Sequence, residues 1–258
     1  MTESLVRFAF DGAVARLTLD SPHNRNALSS ALVLQLRSGL DRAADDPAVR
    51  AVVLDHTGGT FCAGADLSEA TAGDPEQAAT ERAHALAALL RAIVECPVPV
   101  IAAVDGHVRA GGMGLVGACD IAIAGPGSTF ALTEARLGVA PAIISLTLLP
   151  KLTPRAAARY YLTGETFGAQ RAAEIGLVTA AVEDVASGVD TVTAELAKAS
   201  PQGLAASKAL TTAALLAGFD RDAQRLAEDS ARLFVSEEAR EGMLAFLEKR
   251  APRWAAPL

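Results

Sequence analysis

An apolar run of five residues, Val100–Val104, is the feature that most constrains how this chain folds. It follows a proline and ends at Asp105-Gly106, and a run with this length and these boundaries is typical of a buried β-strand. Gly111-Gly112 then precedes a second apolar run at 113–118, and a third run of strand length follows at 120–124. Glycines in that place allow a sharp turn with free N–H groups at the start of a helix. The stretch therefore predicts strand, glycine turn, short helix and strand in succession.

The rest of the chain alternates between short apolar runs and helical patterns, and then becomes helical only. Asp11-Gly12 between two strand-like runs predicts a β-hairpin. The expected buried members of its second strand are Val14, Leu17 and Leu19. Ser29 is placed to cap the helix that follows, in which a row of leucines is close to the helical period: Leu32, Leu34, Leu36 and Leu40. Pro201 suits the first turn of another helix, where its missing N–H is no loss. Ser236 is placed to cap a last helix, whose expected apolar side consists of Ala239, Met243, Phe246 and Leu247. The change in pattern predicts an α/β domain over residues 1–200 and a helical region over residues 201–258.

Composition narrows the classes of function. A formal net charge of −7 argues against nucleic acid or an anionic membrane surface as the main partner. The three cysteines form no Cys-x-x-Cys pair, which argues against a metal clip or a disulfide framework. The N-terminal residues show no apolar signal segment, and no apolar run reaches membrane-spanning length. We therefore expect a soluble cytoplasmic protein.

Two glycine-bearing loops and one carboxylate are the candidate chemical groups. The first loop contains Ala63-Gly64-Ala65 and the second contains Gly111. Each loop taken alone favours a simple tight turn. Glu134 stands among apolar residues, although a single Glu before a helix is most often a charge at the helix N-terminus. Main-chain N–H groups next to a carboxylate in apolar surroundings suit proton transfer beside a carbonyl group.

Short motifs along the chain match one family in their order and spacing. They are Asn26-Ala-Leu-Ser29, Phe61-Cys-Ala-Gly-Ala-Asp-Leu67, Ala110-Gly-Gly112, Cys119-Asp-Ile-Ala-Ile-Ala124, Phe130…Glu134…Leu137-Gly138, Leu162-Thr-Gly164 and Glu241-Gly-Met-Leu-Ala-Phe-Leu-Glu-Lys-Arg250. Together they resemble the crotonase, or enoyl-CoA hydratase/isomerase, superfamily over residues 5–250. The resemblance implies a spiral of ββα units and a helical C-terminal region that supports trimers or dimers of trimers. It also implies acyl-CoA thioester substrates and no metal or redox cofactor.

The resemblance assigns roles to individual residues. The main-chain N–H groups of Ala65 and Gly111 would hold the thioester oxygen, and Glu134 would transfer protons. The residues expected to meet coenzyme A are Arg25, Ala27, Ala63, Asp66 and, in a neighbouring subunit, Lys249. Simpler interpretations stay open for three of them: Arg25 as a solvated loop residue, Asp66 as an acceptor that stabilises its loop, and Lys249 as a basic residue favoured by a helix C-terminus.

One position departs from the best-known hydratases of this superfamily. Those enzymes carry a second Glu two residues after the Gly-Gly pair, where this chain has Gly114. The segment 141–145 is similar to that of the branch acting on branched, glutaconyl-type thioesters.

The main prediction is a hydratase that adds water across the 2,3 double bond of an acyl-CoA in fatty or branched acyl catabolism. The alternatives are a Δ3,Δ2-enoyl-CoA isomerase using Glu134 alone and a non-catalytic acyl-CoA-binding paralogue. Residues 68–78 are small and polar and predict a mobile loop beside the acyl pocket.

Overall fold

The computed structural model describes residues 4–66, 69 and 74–255. The strands are β1 (Val6–Asp11), β2 (Val14–Leu19), β3 (Ala51–His56), β4 (Thr60–Cys62), β5 (Val100–Val104), β6 (His107–Arg109), β7 (Ile121–Ala124), β8 (Thr129–Ala131), β9 (Phe167–Gly168) and β10 (Ala180–Ala181). The helices are α1 (Ser30–Ala44), α2 (Pro75–Glu95), α3 (Gly111–Ala118), α4 (Ser145–Leu148), α5 (Pro154–Thr163), α6 (Ala169–Glu174), α7 (Val185–Leu196), α8 (Pro201–Phe234) and α9 (Glu237–Leu247). Residues 68 and 70–73 of the predicted mobile loop lie outside the described ranges, and residues 75–78 belong to α2.

The strands are divided between two sheets. The larger sheet has the order β1-β2-β3-β5-β7-β10, and the smaller sheet has the order β4-β6-β8-β9. Three successive units, beginning at β3, β5 and β7, each place their first strand in the larger sheet and their second in the smaller one, and a helix follows. Neighbouring strands of successive units pair in parallel. This succession confirms the predicted α/β class and the spiral of ββα units.

The first two strands form the predicted hairpin. Asp11 pairs with Val14 across a turn in which Gly12 has a φ of 58°, a conformation that glycine adopts without strain. Leu17 and Leu19 are fully buried, as predicted. The prediction that Val14 lies on the same buried face is wrong, because side chains alternate along a strand and Ala15 takes that place. Val14 packs instead against a smaller cluster on the other face of the sheet.

Helix α1 begins at the predicted cap. The Ser29 hydroxyl accepts a hydrogen bond from the Leu32 N–H at 3.2 Å, which pairs one of the unpaired amides of the first turn. Leu32, Leu36 and Leu40 are buried under the larger sheet, whereas Leu34 points to solvent. Leu34 falls about 200° around the helix from Leu32, and therefore on the opposite face.

The C-terminal residues are helical, and α8 packs along α2. Ser236 caps α9 as predicted, since its hydroxyl accepts the N–H of Ala239 at 3.1 Å. The predicted apolar side of α9 is only partly buried: Ala239 is inside, but Phe246 and Leu247 are largely exposed. The division of the chain at residue 200 stays a prediction. Among the described residues, no helix combines the length and the apolar character needed to cross a membrane.

A buried lysine ties α8 to the larger sheet. The Nζ of Lys208 lies 2.7 Å from the Oδ2 of Asp120 and donates to the carbonyl oxygens of Ile93 at 2.9 Å and Val98 at 3.2 Å. The Lys208 side chain is only 5% exposed and that of Asp120 16%. A second ion pair, between Arg91 of α2 and Asp220 of α8, joins these two helices on the solvent side.

These two ion pairs predict very different losses of stability. Lys208→Ala leaves the largely buried Asp120 carboxylate without its paired cation, so the free energy of unfolding should fall by about 3–5 kcal/mol. Arg91→Ala removes an exposed pair and should cost at most about 1 kcal/mol. Urea unfolding of the two variants at neutral pH measures both changes. Equal losses would show that Lys208 is not the main attachment of α8.

Candidate active site

Three parallel strands of the smaller sheet bring the predicted site segments together. β4, β6 and β8 are neighbours in that sheet, and the segments at their C-terminal ends are 63–65, 110–111 and 132–134. The Ala110 N–H donates to the Ala131 carbonyl oxygen at 3.4 Å, which extends the pairing of β6 and β8 by one residue. Because the C-terminal ends of parallel strands lie at one edge of a sheet, both glycine loops and the acidic residue converge there.

The two glycine loops contact each other through their backbones. Gly64 has a φ of 94°, and a Cβ at this position would lie 2.8 Å from the Ala110 Cβ and 3.4 Å from the Gly111 nitrogen. Ala110 itself has a φ of 46°, a strained conformation for a residue with a side chain. The main-chain N–H groups of Ala65 and Gly111 donate no hydrogen bond to any other described residue. The two loops therefore present free donors from adjacent segments.

A third segment braces the first loop. The Ala63 N–H donates to the Arg25 carbonyl oxygen at 3.1 Å, and the Leu28 N–H donates to the Gly64 carbonyl oxygen at 2.7 Å. Asn26 is fully buried, and its side-chain amide donates to two main-chain carbonyl groups, those of residues 57 and 60. The sequence motif containing Asn26 gave no indication of this bracing role.

The residues predicted to meet coenzyme A lie mostly in these braced segments. Arg25 is exposed with a φ of 60°, Ala27 is 6% exposed, and Ala63 is half-buried. Asp66 accepts a hydrogen bond from the Asn24 amide at 3.1 Å, which joins its loop to the segment before α1. Lys249, the remaining candidate, is an exposed residue beyond the end of α9.

Glu134 is a buried acid with an unsatisfied oxygen. It begins the 3-10 turn Glu134–Leu137, and only 8% of the residue is exposed. Its Oε2 atom accepts no hydrogen bond from any described residue. Burial raises the pKa of the Glu134 carboxyl to about 7. A carboxyl with a pKa near neutrality and a free oxygen can both take up and release a proton.

The position of the missing second acid is filled by an aliphatic side chain. A Cβ at Gly114 would lie 2.5 Å from the Ile144 Cγ2 and 3.2 Å from the Leu90 Cδ1. The Thr147 hydroxyl also donates to the Gly114 carbonyl oxygen at 3.1 Å. A Glu at 114 therefore does not fit unless Ile144 moves. Gly114 and the altered segment 141–145 are both visible in the sequence, but the contact between Gly114 and Ile144 is visible only in the structure.

A tyrosine that sequence analysis missed lies close to Glu134. The Tyr161 hydroxyl lies 3.1 Å from the Ser145 Oγ, which donates to the Pro141 carbonyl oxygen at 2.7 Å. Burial, with a smaller contribution from the negative charge of Glu134, raises the pKa of Tyr161 to about 12. Tyr161 also lines a cavity of about 500 Å³ whose other lining residues are apolar. The helical pattern of α5 contains no signal for such a role.

Other candidate groups contribute less. The three cysteines are free and buried, and burial raises the pKa of Cys62 to about 12, so this thiol is not an activated nucleophile. Within the described ranges, no group of three or more His, Cys, Asp or Glu side chains is arranged to hold a metal ion.

Comparison with known proteins gives the family. The family model described as enoyl-CoA hydratase/isomerase matches residues 9–257. The chain belongs to the enoyl-CoA hydratase/isomerase family. A solved structure named an enoyl-CoA hydratase from Mycobacterium avium is 69% identical, with a TM-score of 0.93 over 98% of this chain and 100% of that one. A carnitinyl-CoA hydratase from the same species is 31% identical, with a TM-score of 0.84 over 99% and 100%. The 2,3-dehydroadipyl-CoA hydratase of Escherichia coli is 34% identical over 93% of this chain and 94% of its own length.

The raised pKa of this family member's acid predicts a pH-dependent cost in stability. The pKa is higher in the folded state than in the unfolded state, so stability should fall as pH rises from about 4.5 to about 7. Glu134→Gln removes the buried charge. At pH 8 it should raise the free energy of unfolding by about 1–3 kcal/mol, and at pH 4 the gain should vanish. Urea unfolding at both pH values measures the difference. A matched exposed variant, Glu183→Gln, should show no such change, and an equal gain in both variants would contradict this explanation.

Proposed function

We propose that this protein is an enoyl-CoA hydratase that adds water across the 2,3 double bond of an acyl-CoA thioester. The observation that carries the proposal is a buried acid with an unsatisfied oxygen, Glu134, at the same sheet edge as two free main-chain donors. Acyl-CoA hydratases among the similar proteins support the reaction and the substrate class. We propose that the substrate is an intermediate in the breakdown of fatty or branched acyl chains.

The two free donors activate the thioester. Attack at C3 moves negative charge onto the thioester oxygen, and the N–H groups of Ala65 and Gly111 would hydrogen-bond to that oxygen. Each such donor lowers a barrier of this kind by about 3–4 kcal/mol. Gly111 begins α3, so the positive end of the helix dipole adds to the stabilisation.

One carboxyl group performs both proton transfers in this mechanism. The Glu134 carboxylate takes a proton from water as the hydroxyl oxygen bonds to C3, which leaves an enolate at C2 and the thioester oxygen. The protonated Glu134 then gives its proton to C2, and the carboxylate is regenerated. One water molecule supplies both groups that are added. The aliphatic Ile144 beside Gly114 leaves no room for a second carboxylate, so the mechanism does not call for one.

The same proposal extends to substrate binding and assembly. Coenzyme A enters as part of the substrate, and the reaction uses no metal or redox cofactor. The residues proposed to meet coenzyme A are Arg25, Ala27, Ala63, Asp66 and Lys249. A trimer or a dimer of trimers is supported by large apolar side chains left exposed on α9, such as Phe246 and Leu247. We propose the cytoplasm as its location, from the composition of the chain.

The hydratase mechanism predicts that activity depends on one residue. A 2-enoyl-CoA should lose its conjugated-thioester absorbance when the pure protein is added, and Glu134→Gln should slow this by about 10²–10⁴-fold. Because the base must be ionised, kcat/KM should rise with pH to a plateau above about pH 7. Glu183→Gln, at an exposed position, is the matched control and should keep full activity. An unchanged rate for Glu134→Gln would contradict the proposed role.

An isomerase is the second candidate. Ile144 fills the space in which a second acid would lie, so among the described residues Glu134 is left as the one candidate acid, and one acid is enough to move a proton between two carbons. A 3-enoyl-CoA would then gain conjugation. In water enriched in heavy oxygen, a hydratase incorporates the label into its product and an isomerase does not. Calorimetric binding of acyl-CoA without turnover of either substrate would instead support a non-catalytic paralogue.

A further inference from the structure

The position of the Glu134 carboxyl depends on the turn that carries it. No described residue donates a hydrogen bond to its Oε2 atom, so that oxygen is held by packing and by the backbone alone. The turn is closed by the Arg136 N–H, which donates to the Thr133 carbonyl oxygen at 3.0 Å, and by the Val139 N–H, which donates to the Glu134 carbonyl oxygen at 3.1 Å. A shift of this backbone therefore moves the acid directly.

Helix α9 packs on this turn at backbone distance. A Cβ at Gly242 would meet the Leu137 carbonyl oxygen and lie 2.6 Å from the Leu137 carbonyl carbon. From the other side, a Cβ at Gly138 would lie 2.6 Å from the Glu238 carbonyl carbon. Gly138 also has a φ of 77°. Only glycine allows two backbone segments to approach this closely, so both sides of the contact depend on having no side chain.

The opposite side of the turn rests on the end of α5. The Arg136 Nε donates to the Thr163 carbonyl oxygen at 2.9 Å. Gly164 follows, and a Cβ there would lie 3.0 Å from the Leu132 carbonyl oxygen. The turn is thus enclosed between α5 and α9, and a displacement of either helix reaches Glu134. Tyr161 belongs to α5, and its pKa is raised by burial and, to a smaller extent, by the negative charge of Glu134.

An ion pair between the buried Glu241 and the partly exposed Arg250 holds α9 itself in place. Glu241 is 8% exposed, and the Arg250 guanidinium donates to its two oxygens at 2.7 and 3.0 Å. The Arg253 main-chain N–H adds a third hydrogen bond at 3.0 Å. The Arg250 guanidinium lowers the pKa of the Glu241 carboxyl to about 2, so the pair stays charged throughout the range in which Glu134 titrates. The segment after α9 is therefore folded back onto the helix that supports the acid.

We propose that α9 is a positioning element for Glu134, in which Gly242 sets the distance between the helix and the acid-bearing turn. The proposal rests on the proposed function only for its rate measurement, because the environment of Glu134 is measurable without substrate. It gives the C-terminal residues a role inside their own subunit, in addition to any role in assembly.

Gly242→Ala tests the proposal, with Gly218→Ala as its matched control. Both glycines are in helices, but a Cβ at Gly218 meets no atom within 4 Å. Alanine favours helix, so a harmful effect at 242 cannot come from weakened helix propensity. The first readout is an infrared titration of the protonated-carboxyl band that Glu134→Gln removes. The wild-type midpoint should lie at about 7, and Gly242→Ala should move it toward the ordinary Glu value as water reaches the displaced carboxyl.

The second readout is the split between kcat and KM for a 2-enoyl-CoA. Gly242→Ala should lower kcat by roughly 10–100-fold and leave KM nearly unchanged, since misplacement of about 1 Å has effects of that size. Arg250→Met breaks the ion pair that holds α9 without adding bulk, and it should show the same changes more weakly. This variant replaces Gly242→Ala in the test if Gly242→Ala does not fold. An unmoved titration midpoint in the folded variant would overturn the proposal. A moved midpoint in a protein without hydratase activity would support the positioning role and refute the proposed function.

Discussion

The close contact between two backbone loops is the constraint on which the rest of the site depends. Gly64 lies against Ala110 and Gly111 because parallel pairing of β4 and β6 brings the ends of the two strands together. Any side chain at Gly64 would push the loops apart and separate the donors at Ala65 and Gly111. The strained backbone at Ala110 is held by the same contact. The sheet therefore provides the framework for two donors that no side chain has to supply.

The acid depends on exclusion from water rather than on a charged partner. Glu134 begins its turn one strand further along the same sheet, where burial favours its neutral form. This arrangement lowers the stability of the folded protein at neutral pH, and it gives the acid a proton affinity suited to catalysis. The Ile144 side chain fills the space beside Gly114 with aliphatic atoms. In the proposed mechanism, Glu134 alone therefore carries out both proton transfers.

Local patterns in the sequence predicted the framework well. The misses come from two sources: periodicity within single elements that was assigned to the wrong face, and contacts between residues distant in sequence. The strand Val100–Val104 and the turn at Asp11-Gly12 were predicted correctly, because residues next to them in the sequence signal both. Val14 was assigned to the wrong face of the sheet. Side chains alternate along a strand, so Val14 cannot share a face with Leu17 and Leu19. Leu34 shows that a row of leucines does not establish which side of a helix is buried. Ile144 fills the space beside a glycine 30 positions earlier, and no local pattern records a contact of that kind.

The central claim is that two main-chain amides hold the thioester oxygen while one buried acid transfers the protons. A crystal structure with an unreactive acyl-CoA thioester analogue tests it most directly. The account predicts the thioester oxygen about 2.7–3.1 Å from the nitrogens of both Ala65 and Gly111, with the Glu134 carboxyl facing C2 and C3 of the acyl chain. A thioester oxygen bound by other donors, or a Glu134 carboxyl turned toward bulk solvent in that complex, would contradict it.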